Sequence, residues 1–228
     1  MKRRESSVGL LFEEEARARG HRMVAGLDEV GRGALAGPVV AAAVILDPAA
    51  SLPEGLDDSK RLTALQRERI AGELRRTAVC HAYGVVGPEE IDATNILVAT
   101  RRAMMKALEG LTTCADFLLI DALQLRESPL PQKAIIRGDS VSASIAAASV
   151  LAKTYRDRLM RRYHEEFPHY GFARHVGYGT REHWAALREH GCCPIHRKSF
   201  RGVLPGEAGA GEGDDAAGDE VAQGEEPG

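Results

Sequence analysis

The sequence predicts an α/β fold: one domain over residues 1–205, in which five short strands are interspersed with helices, and a disordered acidic tail over 206–228. Three observations predict it. Apolar runs of strand length, VVAAAVIL at 39–46 and FLLI at 117–120, are bounded by turn-forming residues or end on an acid. Residues 63–77 and 95–111 carry apolar side chains at helical spacing, and 142–167 contains neither proline nor glycine. From residue 206 the chain turns to glycine, alanine and acids, a composition that buries no core.

Taken in order, residues 10–18 read as a charged surface helix that follows a basic N-terminal patch. Residues 23–28 (MVAGLD) form a first strand, and 39–46, framed by Pro38 and Asp47-Pro48, a second strand paired with it. Pro48, Pro53 and Gly55 mark a loop that carries Asp57-Asp58-Ser59-Lys60 into a helix at 63–77, with Leu65, Ile70 and Leu74 along it. The alternation in VCHAYGVV at 79–86 gives a third strand. In the helix at 95–111, Ile96, Thr100, Met104, Ala107 and Leu108 share one face, and Arg101, Arg102 and Lys106 form its solvated side. The run at 117–120 suits a strand buried on both faces and ends on Asp121. KAII at 133–136 is the fifth strand, followed by Arg137-Gly138-Asp139-Ser140.

The stretch 142–167 reads as one long helix. Its first half is small and apolar, fit for close packing on a sheet, and its second half is basic through Lys153, Arg156, Arg158, Arg161 and Arg162. Pro168 ends it. An irregular stretch, PHYGFARHVGYGT, leads to a helix over 180–190, capped by Thr180 and stopped by Gly191.

The chemistry gathers around GLDEVGRGALAGP at 26–38. Asp28 and Glu29 stand side by side, and adjacent carboxylates repel unless a cation sits near them. Successive strand residues point to opposite faces, so both acids serve one centre only if the strand ends or bulges there; Gly31 and Gly33 supply that break. The same glycines leave the backbone around Arg32 bare for a phosphate-bearing ligand. The pattern Gly31-x-Gly33-x-x-Ala36 formally fits a dinucleotide fingerprint, but that motif opens a helix, and here a proline and a strand follow. A tight turn with acids at its rim is the plainer alternative. Isolated acids recur at two other predicted element ends, Asp121 and Asp139; singly, each also fits a turn or a helix cap. Jointly the four carboxylates form an all-oxygen set, which suits Mg²⁺ or Mn²⁺ rather than zinc. Two-ion sites of that kind run in-line displacement at phosphorus.

Composition sets the setting. Without the eight acids of 206–228 the body has 30 basic and 25 acidic residues, a mildly basic balance that suits a polyanionic partner. No apolar run is long enough for a bilayer, no signal peptide opens the chain, and Cys80, Cys114, Cys192 and Cys193 lack CxxC spacing; a cytoplasmic, reducing setting is expected. No long apolar repeat invites assembly, so a monomer is expected.

Six separated blocks carry a family likeness: GLDEVGRGALAGPVVAAAVIL, Asp58-Ser59-Lys60, the strand ending in Asp121, Gly138-Asp139-Ser140, AAASVLAKTYRD and YGFARHVGYGT. Together, over residues 20–200, the chain resembles type 2 ribonuclease H (ribonuclease HII). The resemblance implies an RNase H-like mixed sheet of five strands flanked by helices, with a helical C-terminal part. It implies hydrolysis of the RNA strand of RNA–DNA hybrids and nicking of duplex DNA on the 5′ side of an embedded ribonucleotide, leaving 5′-phosphate and 3′-hydroxyl. By motif position, Asp28, Glu29, Asp121 and Asp139 would be the catalytic, metal-binding acids, for two Mg²⁺ or Mn²⁺ ions. The Gly31-Arg32-Gly33 turn would contact the ribonucleotide 2′-hydroxyl through backbone groups, and Tyr178 would pack on the next deoxyribose. A loop tyrosine packed on the last helix is the competing reading of Tyr178, and a simple phosphate clamp that of Arg32.

Two positions depart from the family pattern. Val176 stands where lysine is usual, so a phosphate contact there is either lost or supplied by Arg174 or Lys198, and Ala122 stands where glycine often follows the third acid. Rival readings are a zinc site at His190, Cys192, Cys193 and His196, a non-enzymatic nucleic-acid module built on the basic helix, and another two-metal nuclease of the same fold.

Overall fold

The computed structural model of the chain describes residues 8–204; the expected tail at 206–228 and the basic N-terminal patch lie outside them. Five strands form one mixed sheet in the order β3-β2-β1-β4-β5. Strands β1 (Val24–Val30), β2 (Val39–Ile45) and β3 (Cys80–Val86) make an antiparallel meander, in which Asp28 faces Ala42 and Ala42 faces Tyr83. Strands β4 (Phe117–Asp121) and β5 (Gln132–Ile135) run parallel to β1.

Helices cover both faces. Besides α1 (Leu11–Ala18) and α2 (Ala64–Thr77) there are a short α3 (Pro88–Ala93), α4 (Ile96–Glu109), the 24-residue α5 (Ala143–Glu166), a single turn α6 (Phe172–His175) and α7 (Arg181–His190). Caps fall where the sequence places them: Thr63, Asn95, Ser142 and Thr180 each accept a backbone N–H of the first turn. The alternation of β1 and β2 then divides the core. Leu27, Ala41 and Ala43 pack with Ala99, Ala103 and Met104 of α4. On the other face Ala42 and Val44 meet Ala146, Ala147 and Val150 of α5, with Ile70 and Leu74 of α2 behind.

Small residues set how closely the layers approach. A Cβ on Gly84 of β3 would lie 1.8 Å from the Ala103 carbonyl oxygen of α4, so this contact admits glycine alone. The alanines of α5 do the same for β1 and thereby bring the middle of that helix up to the acids of the strand. One expectation needs correction. The segment at 10–18 is not merely a surface helix: Glu13 is buried, and its Oε1 accepts the hydroxyls of Ser142 and Ser144 at 2.7 and 2.6 Å, with the Ser144 N–H at 2.8 Å. It satisfies the start of α5, where unpaired backbone donors and the helix dipole favour an anion.

These contacts predict opposite outcomes for two glycines. Gly84→Ala should cost about 3 kcal/mol by overpacking. Gly72→Ala, in α2 with open space around its Cβ, should gain about 1 kcal/mol. Urea unfolding of both variants checks the pair, and a similar shift for the two would contradict the packing described.

Candidate active site

The parallel register of β1 and β4 ends with Leu27 opposite Ile120, so the next residues, Asp28 and Asp121, emerge together where the two strands part, at the carboxyl end of β4. In an open α/β sheet that is where ligands gather. Asp139 arrives on the 3-10 turn Gly138–Ser140, tied to the same place because the Gly138 N–H donates to Asp121 Oδ1 at 2.7 Å. Asp28, Glu29, Asp121, Asp139 and Tyr178 line one cavity of about 370 Å³, together with Ser59, Lys60, Ser149 and Lys153. Five of the eight residues picked from the sequence therefore meet. The Gly31-Arg32-Gly33 turn follows directly after Val30, which also lines the cavity.

The strand does not break at the acids, contrary to expectation. β1 stays paired with β2 through Glu29–Ala41 and Val30–Val40, and the break comes at Gly31, whose φ of +89° lies in the left-handed region. Both acids reach the cavity because β1 has lost its β4 neighbour beyond Leu27.

Electrostatics dominates the pocket. Asp28 is buried, and burial followed by the charges of Glu29 and Asp121 pushes its pKa well up; the Ser149 hydroxyl, itself 2.9 Å from Ser59 Oγ, offsets part of this. Glu29 is raised by burial, against the opposing pull of Arg32, which lies 3.1 Å from its Oε1. Asp121 is raised by burial against the Gly138 N–H, and Asp139 is raised to about 6 by burial and by Asp121. Lys60 shows the reverse: burial opposes its charge, yet Asp139, Asp58, Asp28 and Asp121 raise its pKa.

Such a set fits divalent cations. Glu29 Oε2 is buried without a hydrogen-bond partner, and every donor is a carboxylate oxygen. Among the described residues no three His, Cys, Asp or Glu side chains close into a ready-made cage; the carboxylates face a shared space instead.

Tyr178 sits at the rim, its backbone fixed twice. Its N–H donates to the His175 carbonyl at 3.0 Å, and its carbonyl accepts His183 Nδ1–H at 2.9 Å. His183 Nε2 in turn accepts from His196 Nε2 at 3.0 Å, and His196 Nδ1 accepts the Cys193 N–H, also at 3.0 Å. This chain assigns both tautomers and uses the imidazole lone pairs, in keeping with burial lowering both pKa values to about 4. Those lone pairs are what a zinc site at His190, Cys192, Cys193 and His196 would need, and Cys192 Sγ meanwhile donates to the Val203 carbonyl.

The basic face expected on α5 is thinner than the sequence suggests, although Arg161 and Arg162 remain exposed. Arg158 pairs with Glu68, Lys153 with Asp157 at 2.8 Å, and Arg156 is fully buried. Arg174, an expected stand-in for the missing lysine, pairs with Glu182. Val176 itself has φ of +45°, as does Ala122, so both departures from the family pattern occupy left-handed backbone that disfavours a Cβ, most of all a branched one.

Sequence reasoning missed Arg156 and Arg197. Arg156 donates to the carbonyls of Pro38, Val176 and Ala36 at 2.9, 2.8 and 3.1 Å. Arg197 donates to those of Gly37, Arg32 and Gly31 at 3.0, 2.8 and 2.6 Å. The signal for Arg156 was present: it falls at four-residue spacing from Ala152 and Met160, on the buried stripe of its helix.

Residues 25–203 match the family model described as Ribonuclease HII. A protein of that name from Syntrophotalea carbinolica is 52% identical over 194 residues, covering 85% of this chain and 92% of the relative. Two solved structures are similar over most of the chain: ribonuclease H2 from Pyrococcus horikoshii, with TM-score 0.67, 25% identity and coverage of 80% of this chain and 95% of that one; and RNase HII from Archaeoglobus fulgidus in complex with PCNA, with TM-score 0.66, 27% identity and coverage of 77% and 92%.

The raised pKa of Asp139, from burial and the neighbouring Asp121, has a testable sign. With its folded pKa raised from 3.8 to about 6, Asp139 supplies stability that is present below 3.8 and lost as pH rises through about 6. In buffer free of divalent cations, Asp139→Asn should raise the melting temperature at neutral pH by about 3 °C, and the gain should vanish below about pH 4. Added Mg²⁺ should stabilise the parent more than the variant. Differential scanning calorimetry across pH decides it; a variant less stable at neutral pH would contradict the cost assigned to ionising Asp139 in this site.

Proposed function

The chain belongs to the ribonuclease HII family, and from that premise we propose how its own residues perform and restrict the reaction. The family places it among endonucleolytic hydrolases that act on the RNA strand of RNA–DNA hybrids. The finer reading is that this enzyme also nicks duplex DNA on the 5′ side of an embedded ribonucleotide, leaving 5′-phosphate and 3′-hydroxyl, with roles in ribonucleotide removal and RNA primer removal. The observation that carries it is the convergence of Asp28, Glu29, Asp121, Asp139 and Tyr178 on one cavity beside a glycine turn.

In this reading the four acids hold two Mg²⁺ or Mn²⁺ ions, which when bound supply activation of water and charge stabilisation at phosphorus. The chain's own groups do the rest. Ser149 and the Glu29 N–H, 2.8 Å from Asp28 Oδ1, fix the Asp28 carboxylate. Lys60 and Lys153 place positive charge in the cavity wall, where a phosphate would otherwise meet only acids. The exposed Arg32 is held by Glu29, which leaves the turn's backbone rather than its side chain to meet the ribose. The 2′-hydroxyl is the handle that separates RNA from DNA, and an apolar tyrosine face suits the deoxyribose that follows.

No described helix is long and apolar enough to cross a membrane. A cytoplasmic setting fits the four free cysteines, and a monomer is the proposed state.

The test is cleavage of a duplex DNA holding one ribonucleotide, beside an all-DNA control, in Mg²⁺ or Mn²⁺. Cleavage of the first alone, on the 5′ side of the ribose, is expected; equal cleavage of both would point to a generic nuclease of this fold. Asp28→Asn should lower the rate by about a thousandfold while hybrid binding is retained or strengthened. Normal turnover by that variant would refute the role given to Asp28.

A further inference from the structure

Arg156 and Arg197 are the largest side chains buried without solvent contact, and neither is ion-paired with a carboxylate among the described residues. Burying an unpaired charge is costly unless it is fully hydrogen-bonded. Here every guanidinium nitrogen has a partner: each arginine donates to three backbone carbonyls, five of the six drawn from residues 31–38 and the sixth from Val176.

The consequence for the turn follows from the planarity of the peptide. In a trans peptide the carbonyl and the following N–H point in opposite directions. Arg197 draws the Gly31 and Arg32 carbonyls inward, so the N–H groups of Arg32 and Gly33 are turned outward. Both residues are exposed, and those two N–H groups meet no acceptor among the described residues. Arg156 spans the next gap. It binds the carbonyls of Ala36 and Pro38 on one side and of Val176 on the other, with its guanidinium 5.7 Å from the centre of the Tyr178 ring. The two segments are also joined directly, Leu35 N–H to the Gly177 carbonyl at 2.8 Å.

We infer that Arg197 is a positioning residue that aims the turn's two free amides at the ribose, and that Arg156 is a positioning residue that fixes their distance from Tyr178. The inference rests on the proposed reading of the turn and of Tyr178 as sugar contacts. Lysine keeps the charge at either position but offers no planar fork to hold three carbonyls.

The test is binding in the Asp28→Asn background, with three duplexes: all-DNA, DNA with one ribonucleotide, and continuous RNA–DNA hybrid. Arg197→Lys should reduce the preference for the ribonucleotide duplex over all-DNA by about tenfold, the worth of one or two lost hydrogen bonds. Arg156→Lys should reduce the preference for the ribonucleotide duplex over the continuous hybrid by about fivefold. Arg161→Ala, an exposed cation on the same helix, should weaken all three alike. Each ratio is taken on one preparation, so a partly folded variant still answers. Should either lysine variant not fold, Gly177→Ala provides the second arm: its Cβ would lie 2.4 Å from the Ala36 carbonyl oxygen and force the two segments apart, so it should reproduce the Arg156→Lys result. Equal weakening on all three duplexes by the lysine variants would overturn the inference. Indifference to the ribonucleotide already in Asp28→Asn alone would overturn the underlying reading of the turn instead.

Discussion

Four carboxylates pressed into one buried cavity repel one another, and the rest of the structure is arranged to hold them there. Asp28 and Asp121 leave neighbouring parallel strands, Asp139 is tied to Asp121 through the Gly138 N–H, and Glu29 is left with a buried oxygen that meets no donor. Burial disfavours ionisation of all four, and neighbouring carboxylates add to it at Asp28, Asp121 and Asp139, so all four pKa values rise. A fold tolerates that cost only when the remaining packing over-determines the backbone. The sheet register and the alanine-lined seat of α5 supply it.

The same logic extends outward from the acids. The turn after β1 has few side chains of its own to pack, so its shape comes from below, from two guanidiniums that replace a conventional core. Arg197 organises the peptides of the turn, and Arg156 connects the turn to the loop of Tyr178. A histidine chain secures that loop from the far side, with His183 and His196 both kept neutral by burial. The proposed catalytic and recognition features thus share one scaffold, built where β1, α5 and the C-terminal segment meet.

Much of this was legible in the order of residues, and the reasons differ by element. β2 and β4 were plain because continuous apolar runs admit little else, and α5 because no breaker interrupts it. The helix at Pro88–Ala93 was passed over: it is short, and its proline and acids belong equally to a turn. The acids were found because they recur at several element ends, each alone fitting a turn or a cap but jointly forming an all-oxygen set, whereas the way Asp28 and Glu29 share a cavity without a strand break depends on where β4 stops, a tertiary fact. Glu13 and Arg156 were both misplaced for one reason. Charge was read as exposure, while their partners, Ser142, Ser144 and the carbonyls of Ala36, Pro38 and Val176, lie too far along the chain for any local pattern to show.

The account stands or falls on where divalent ions bind. Anomalous diffraction from crystals soaked in Mn²⁺ tests it most directly. Mn²⁺ density within ligating reach of the Asp28, Glu29, Asp121 and Asp139 carboxylates, about 2.0–2.3 Å, is the predicted result. An empty cavity, or an ion that leaves Asp121 or Asp139 out of reach, would contradict it.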